Sequence, residues 1–273
     1  MHYQHRYHAG NFADVLKHLT LCALLSALNR KPAPWSYLET HAGAGGYDLA
    51  DEAAQRTGEW RDGIGRLWGG EKAPPLVQEY LHQVAAFNPD GQLRRYPGSP
   101  LFVSRFARAD DRMILCERVP QIAARLRENL GRDARVVIHQ RDGYEAPALL
   151  PPAQKRGLVL VDPPFERPDE FDAVCDLLAA SLGRFAHGVF AVWYARKNAR
   201  AAERFLRRAA VGRERLVIEL DTGAPREGQM PACGMLVVNP PFAVDEQLRP
   251  AVEFLAGALA QGRGAASRVE RLS

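Results

Sequence analysis

The sequence predicts an α/β fold: a largely parallel sheet covered by helices and finished by an antiparallel pair of strands. Three observations predict it. Short apolar runs such as Leu158-Val159-Leu160-Val161 recur between stretches of helical periodicity, and lack the polar alternation of a half-exposed strand, so they read as strands buried on both faces. An early run passes straight into His41-Ala42-Gly43-Ala44-Gly45-Gly46-Tyr47, the glycine-rich corner at which nucleotide-binding sheets admit a ligand to the backbone. The last two runs are separated only by turn residues, which joins them as an antiparallel pair. With 273 residues, 47% of them hydrophobic, the chain has material for a sizeable core and is not disordered.

The elements follow in order. Residues 1–10 are aromatic and basic without periodicity, an arm suited to folding over a ligand or stacking on bases. Their histidines lack acidic or cysteine partners, so no metal is expected. Asn11 is placed to cap a helix over 12–29, with Asp14 favourable at its positive end; Lys17 and His18 fall among its apolar positions and are expected at a ligand crevice. Trp35 to Thr40 is the first strand. Residues 48–95 hold no predicted strand, only helical patterns broken by Gly69-Gly70 and Pro74-Pro75. They read as a helical subdomain inserted between 1–47, which carries the arm, first helix, first strand and glycine loop, and 96–273, the remainder of the sheet.

Tyr96-Pro97-Gly98-Ser99-Pro100 opens a helix to about Ala107 with Ser99 as its expected N-cap. Arg112 to Arg118 is the second strand, and Glu117 at its end stands where such folds hold a ribose diol. After a helix through Leu126 and Leu130, the strand Arg135–His139 leads into Arg141-Asp142-Gly143-Tyr144, an acid and a glycine suited to an adenine amine. The Leu158–Val161 strand ends in Asp162. A helix over 171–182, a strand over 188–194, an arginine-rich helix over 199–210 and strands at 215–220 and 234–239 complete the reading, with the last pair expected at the sheet edge.

Composition narrows the partners. A net charge of +4 permits a nucleic acid without demanding one. Cys22, Cys116, Cys175 and Cys233 are scattered with no Cys-x-x-Cys pair, which suits a reducing cytoplasm. No apolar stretch of membrane-spanning length and no signal-peptide core are read, so no membrane partner is expected.

Chemistry concentrates at Asp162-Pro163-Pro164-Phe165. The prolines stiffen the turn and aim their carbonyls, because φ is fixed and no N–H competes. A carboxylate, the Pro163 carbonyl and the Phe165 ring together suit a flat base bearing an amine. The tetrapeptide resembles the Asp/Asn-Pro-Pro-aromatic motif of adenine-N6 and related amino-methyltransferases. Its plainer reading is a strand-ending turn. Asn239-Pro240-Pro241-Phe242 echoes it, but ends an expected hairpin strand that no cofactor loop precedes, and is read as a decoy.

About seven strands, helical crossovers and a terminal hairpin form the plan of class I S-adenosylmethionine methyltransferases. With Tyr7-His8-Ala9-Gly10-Asn11, Ala13-Asp14-Val15-Leu16-Lys17-His18, Thr40-His41-Ala42-Gly43-Ala44-Gly45, Tyr96-Pro97-Gly98-Ser99-Pro100 and Asp162-Pro163-Pro164-Phe165 in this order, the chain closely resembles the ribosomal RNA large subunit methyltransferase J family. That resemblance implies methylation of an adenine N6 in 23S ribosomal RNA. It implies S-adenosylmethionine bound by His18, His41, Ser99, Glu117, Asp142 and Gly143, with Lys17 close by and Gly43 in the glycine corner. Asp162 would accept the proton, and Tyr3 in the arm would touch RNA, met protein-free or early in assembly. Phe165 stands where the family commonly has Tyr, so stacking is kept and a hydroxyl lost. Two alternatives stay open: a DNA adenine-N6 methyltransferase, which should carry a target-recognition domain, and a non-catalytic nucleic-acid binder, which would be expected to lose the glycine loop or Asp162.

Overall fold

The computed structural model describes residues 4–70, 72–223 and 230–272. After a 3-10 turn at His5–Tyr7, the chain forms α1 (Phe12–Asn29), β1 (Ser36–Glu39) and β2 (Gly46–Asp48). Next come α2 (Glu52–Thr57), α3 (Glu59–Asp62), α4 (Ile64–Leu67), α5 (Pro75–Ala85) and β3 (Arg95–Pro97). Then come α6 (Ser99–Ser104), β4 (Arg112–Cys116), α7 (Pro120–Leu130), β5 (Val136–His139) and β6 (Gly157–Val161). The chain ends with α8 (Glu170–Arg184), β7 (Val189–Ala195), α9 (Ala199–Arg208), β8 (Arg215–Asp221), β9 (Ala232–Val238), α10 (Val244–Ala258) and β10 (Ala266–Leu272).

The main sheet has the order β10-β8-β9-β7-β6-β1-β4-β5. β5, β4, β1, β6 and β7 pair in parallel, and β9 enters antiparallel between β7 and β8. This is the expected class I methyltransferase plan, with one strand more than the sequence reading counts. β8 and β9 are the expected antiparallel pair, but they are not the edge: β10 pairs antiparallel with β8 and lies outside it. Only Val269 in β10 is buried, so its sequence lacks the apolar run by which the inner strands are recognised.

Two apolar layers cover the sheet. One contains α1, α5, α6 and α10, and the other is built on α8 and α9. Asn11 caps α1 as expected, its Oδ1 accepting from Ala13 N and Asp14 N at 3.0 Å each. α1 then packs against β9, α5, α10 and α6, which leaves it apolar around nearly its whole circumference. Its 18 residues reach a mean hydropathy of 1.2, so by length and composition it could cross a membrane, contrary to the expectation that no stretch is that long. Here 83% of it is buried by protein.

Between 48 and 95 the expected helices are present but divided. Gly58 ends α2 in the left-handed region at φ 64°, and Gly63 separates α3 from α4. These helices lie between β2 and β3, a short antiparallel ribbon that carries too few apolar residues to be read in advance. Leu49, Ile64, Leu67, Val77 and Tyr80 belong to the same core cluster as α1. Three of the four cysteines are buried and all four are free.

Candidate active site

Parallel pairing aligns the ends of β1, β4 and β6, with Glu39 opposite both Leu115 and Leu160. Glu39, Glu117 and Asp162 therefore gather at one end of the sheet, where Glu117 and Asp162 line a cavity of about 680 Å³ and Glu39 is buried beside Ser99. The sequence-predicted residues Lys17, His18, His41, Gly43, Ser99, Glu117, Asp162, Pro163 and Phe165 line it. Asp142 and Gly143 do not line it but stand behind His41. Tyr3 lies outside the described residues.

Asp162 follows the last residue of β6, and its Oδ2 accepts a 2.7 Å hydrogen bond from Lys17 Nζ. The same ammonium lies 2.9 Å from Asp14 Oδ1. Asp14 Oδ2 in turn accepts from Gly10 N and meets His5 Nε2, both at 2.9 Å. The expectation for Asp14 was a macrodipole partner; it is also a buried counterion. Burial alone would pull Lys17 down, but the carboxylates of Asp14 and Asp162 outweigh it and hold the ammonium well above the usual lysine range. For Asp14, burial pushes upward and is outweighed by His5 and Lys17, so its carboxyl sits well below the usual range.

Past Pro163 and Pro164, Phe165 takes φ 50°, a left-handed conformation that an aromatic residue adopts only under constraint. Its ring packs edge-on against Phe171 at 4.9 Å and Trp193 at 5.6 Å between centroids. Those contacts hold the turn.

The opposite wall begins with His18. Its ring stacks on Tyr96 and Phe102 with centroids 5.4 and 5.3 Å away, and Nδ1 lies 2.8 Å from the Tyr96 hydroxyl. Nε2 is buried and has no hydrogen-bond partner among the described residues. Burial pushes this imidazole down to about 3, so it is neutral near pH 7. An unpaired buried nitrogen beside a cavity is costly unless a ligand meets it.

In the glycine corner, Gly43 has φ 62°, and a Cβ there would come within 2.6 Å of the Tyr47 hydroxyl. Glu117 folds back on this corner: Oε2 accepts from Gly43 N at 3.1 Å and Oε1 from Val119 N at 2.7 Å. Burial raises its carboxyl above the usual range. Asp142 caps the following turn by accepting from Tyr144 N at 3.0 Å and lies 3.7 Å from Arg118. A Cβ on Gly143 would come within 2.2 Å of the Thr40 carbonyl, and glycine alone permits that approach. His41, whose pKa burial lowers, meets Thr40 Oγ1 at 2.7 Å and the edge of Tyr144.

Ser99 is the first residue of α6, not its cap; Gly98 occupies the cap position with no side chain to offer. The Ser99 hydroxyl is turned instead to Glu39, a fully buried acid that also accepts from the Tyr37 hydroxyl at 2.8 Å. Burial pushes Glu39 up to about 8. The sequence reading misses that role, and also misses Glu59 and Trp193, both in the cavity wall. Glu59 lies in an ordinary-looking helical segment, and Trp193 inside a strand that reads as uniformly buried. Among the described residues no group of three or more His, Cys, Asp or Glu could hold a metal ion.

The sequence model of the family described as "Ribosomal RNA large subunit methyltransferase D, RlmJ" matches residues 32–271. The chain is 38% identical to ribosomal RNA large subunit methyltransferase J of Escherichia coli strain K12 over 258 residues, which is 93% of this chain and 92% of that protein. Its identity to the protein of the same name from Haemophilus influenzae is 36%, with the same coverage. A crystal structure of a Legionella pneumophila protein superposes with a TM-score of 0.89 at 35% identity, covering 97% of this chain and 98% of that one.

Proposed function

The chain belongs to the ribosomal RNA large subunit methyltransferase J family, and from that premise we propose that it methylates N6 of one adenine in 23S ribosomal RNA, using S-adenosylmethionine. The observation that carries the reading is the single cavity wall joining Asp162-Pro163-Pro164-Phe165 to the glycine corner and Glu117. The amine site and the nucleoside site therefore share one space.

The residues present fit S-adenosylmethionine. His18 Nε2 has no hydrogen-bond partner among the described residues, Gly43 brings the backbone to the cavity wall without a Cβ, and Glu117 offers a buried carboxylate at a strand end. In this reading Glu117 holds the ribose diol, Asp142 and Gly143 approach the adenine beside His41, and His18 and Ser99 serve the methionine end with Lys17 nearby. When bound, the cofactor supplies a methyl group on a sulfonium whose leaving group is a neutral thioether.

The chain's own work is positioning. An adenine amine is a poor nucleophile because its lone pair is delocalised into the ring. Hydrogen bonds from its two N–H groups to Asp162 and the Pro163 carbonyl favour the pyramidal geometry that frees that lone pair. Phe165 stacks on the base. Lys17 holds Asp162 by Oδ2, and Oδ1 is the oxygen we assign to the amine and then to its proton. Residues 48–95 act as the insertion that shapes the mouth, while Tyr3 and the arm meet the RNA. In this reading the substrate is RNA free of ribosomal proteins or early in assembly, met in the cytoplasm.

A protein-free 23S fragment containing the target helix tests the proposal. Incubation with S-adenosylmethionine, digestion and mass detection should find N6-methyladenosine at one position, with binding that weakens as salt rises. Equal methylation of duplex DNA of the same sequence would replace the RNA reading with a DNA one.

A further inference from the structure

Among the described residues, three hydrogen-bonding contacts fasten the N-terminal arm to the helical insertion and a fourth fastens the cap of α1. Thr57 Oγ1 donates to the Tyr7 carbonyl, and Ile64 N donates to the Gly10 carbonyl at 2.9 Å. Glu59 makes the other two: Oε1 lies 2.9 Å from His8 Nδ1, and Oε2 accepts from Asn11 Nδ2 at 2.9 Å. The backbones also touch, since a Cβ on Gly63 would fall 2.1 Å from the Gly10 carbonyl oxygen. One carboxylate thus grips the arm through His8 and the cap of α1 through Asn11.

What the arm carries explains why that grip matters. His5, Asp14, Lys17 and Asp162 form a chain of contacts of 2.9, 2.9 and 2.7 Å running from the arm to the acid at the end of β6. His5, His8 and Glu59 all line the cavity. An anion at the mouth of a pocket that admits a polyanion is unfavourable for binding. Glu59 is only 20% exposed in its side chain, and its two oxygens are directed at the arm and the cap.

We propose that Glu59 is a positioning residue for methyl transfer, acting by holding the arm across the pocket mouth through His8 and Asn11. The insertion then serves the reaction through the arm rather than through its own contacts with RNA. The proposal rests on the RNA methyltransferase reading above.

Single-turnover methylation of the 23S fragment at saturating RNA, with the full chain, tests it. Glu59→Ala should slow transfer at least tenfold while the RNA and S-adenosylmethionine dissociation constants stay within threefold. Glu59→Gln should remain within threefold of the parent, because the amide oxygen still accepts from Asn11 Nδ2 and the amide NH2 donates to His8 Nδ1 once the neutral ring carries its proton on Nε2. Glu59→Asp keeps the charge but is one methylene too short for both, and should slow transfer at least fivefold. Hydrogen exchange over residues 7–11 should quicken in Glu59→Ala and Glu59→Asp and not in Glu59→Gln. If Glu59→Ala fails to fold, the contrast between Glu59→Asp and Glu59→Gln decides. Parental rates in Glu59→Ala or Glu59→Asp, unchanged exchange, or a weaker RNA dissociation constant with an unchanged saturated rate would each overturn the proposal. If the parent enzyme itself leaves the RNA unmethylated, the functional reading fails, and the exchange over residues 7–11 still decides the clamp.

Discussion

Asp162-Pro163-Pro164-Phe165 and Asn239-Pro240-Pro241-Phe242 are nearly the same tetrapeptide, each directly after a fully buried strand. Each contains a residue at positive φ, Phe165 at 50° and Asn239 at 53°. Their fates differ because β9 runs against β7: Val238 pairs with Phe190 near the start of β7, whereas Val161 pairs with Val192 farther along it. The first motif opens on the cavity and the second lies at the opposite end of the sheet. Asp162 meets the Lys17 ammonium, while Asn239 Nδ2 donates to the Ala186 and Gly188 carbonyls at 3.0 and 2.8 Å and fastens a turn. Phe165 is packed among aromatic rings; Phe242 is 88% exposed. Strand direction, which four residues do not encode, decides whether the motif has chemistry to do.

The contrast breaks most sharply at the polar residue. Asp162→Ala should abolish measurable methyl transfer, a loss of about 10³-fold or more on the scale of positioned acid–base groups, with S-adenosylmethionine affinity by calorimetry kept within about tenfold. Asn239→Ala should transfer methyl at the parental rate, and equal losses in the two variants would erase the distinction. At the aromatic position, Phe165→Ala should lower kcat/KM about 10–100-fold, the stacking of one base being worth roughly 1–3 kcal/mol. Phe242→Ala, assayed alongside, should change nothing.

The cofactor side belongs to the same end of the sheet. Glu117→Ala should weaken S-adenosylmethionine binding by about 1–3 kcal/mol, as for a charge-assisted hydrogen bond to a ribose hydroxyl. An unchanged dissociation constant would move the ribose elsewhere. The pH response should come from this end as well. Burial raises Glu39 from 4.5 to about 8, so the folded protein retains a proton that the unfolded chain has lost. Its contribution to stability is present below about pH 4.5 and disappears as pH rises to about 8. Between those limits, denaturant unfolding of the parent should lose up to about 1.4 kcal/mol per pH unit relative to Glu39→Gln. Parallel curves would show that Glu39 is ionised. The smallest effect lies at the far end: Asn239→Ala should cost about 1 kcal/mol of stability for its hydrogen bonds, seen as a lower denaturant midpoint with unaltered kinetics.

The buried strands were legible because Leu158–Val161 and its kin are apolar on both faces and bounded by breakers. β10 was not, because an outer strand with one buried residue alternates too weakly, and the ribbon of β2 and β3 is too short to show a period. Asp162, Glu117 and Gly43 were picked out from strand ends and the glycine corner and His18 from its place on the apolar stripe of the first helix, with the family resemblance supplying Ser99 and His41. The contact of Lys17 with Asp162 and the grip of Glu59 on the arm were not findable. Each joins segments far apart in sequence, and a charged side chain on a helix gives no local sign of what it will meet. Ser99 shows the same limit at short range, since Gly98-Ser99-Pro100 reads as a cap until Glu39 is seen to claim the hydroxyl.

α1 has a consequence for how the chain comes to be folded. It is made well before β9 and α10, against which it packs and which lie roughly two hundred residues downstream. At about 5–20 residues per second, its apolar surface waits on the order of ten to forty seconds for those partners. Contacts so distant in the chain also form late once synthesis is complete. The segment that carries Lys17 therefore completes its packing only after the two ends of the chain have found each other.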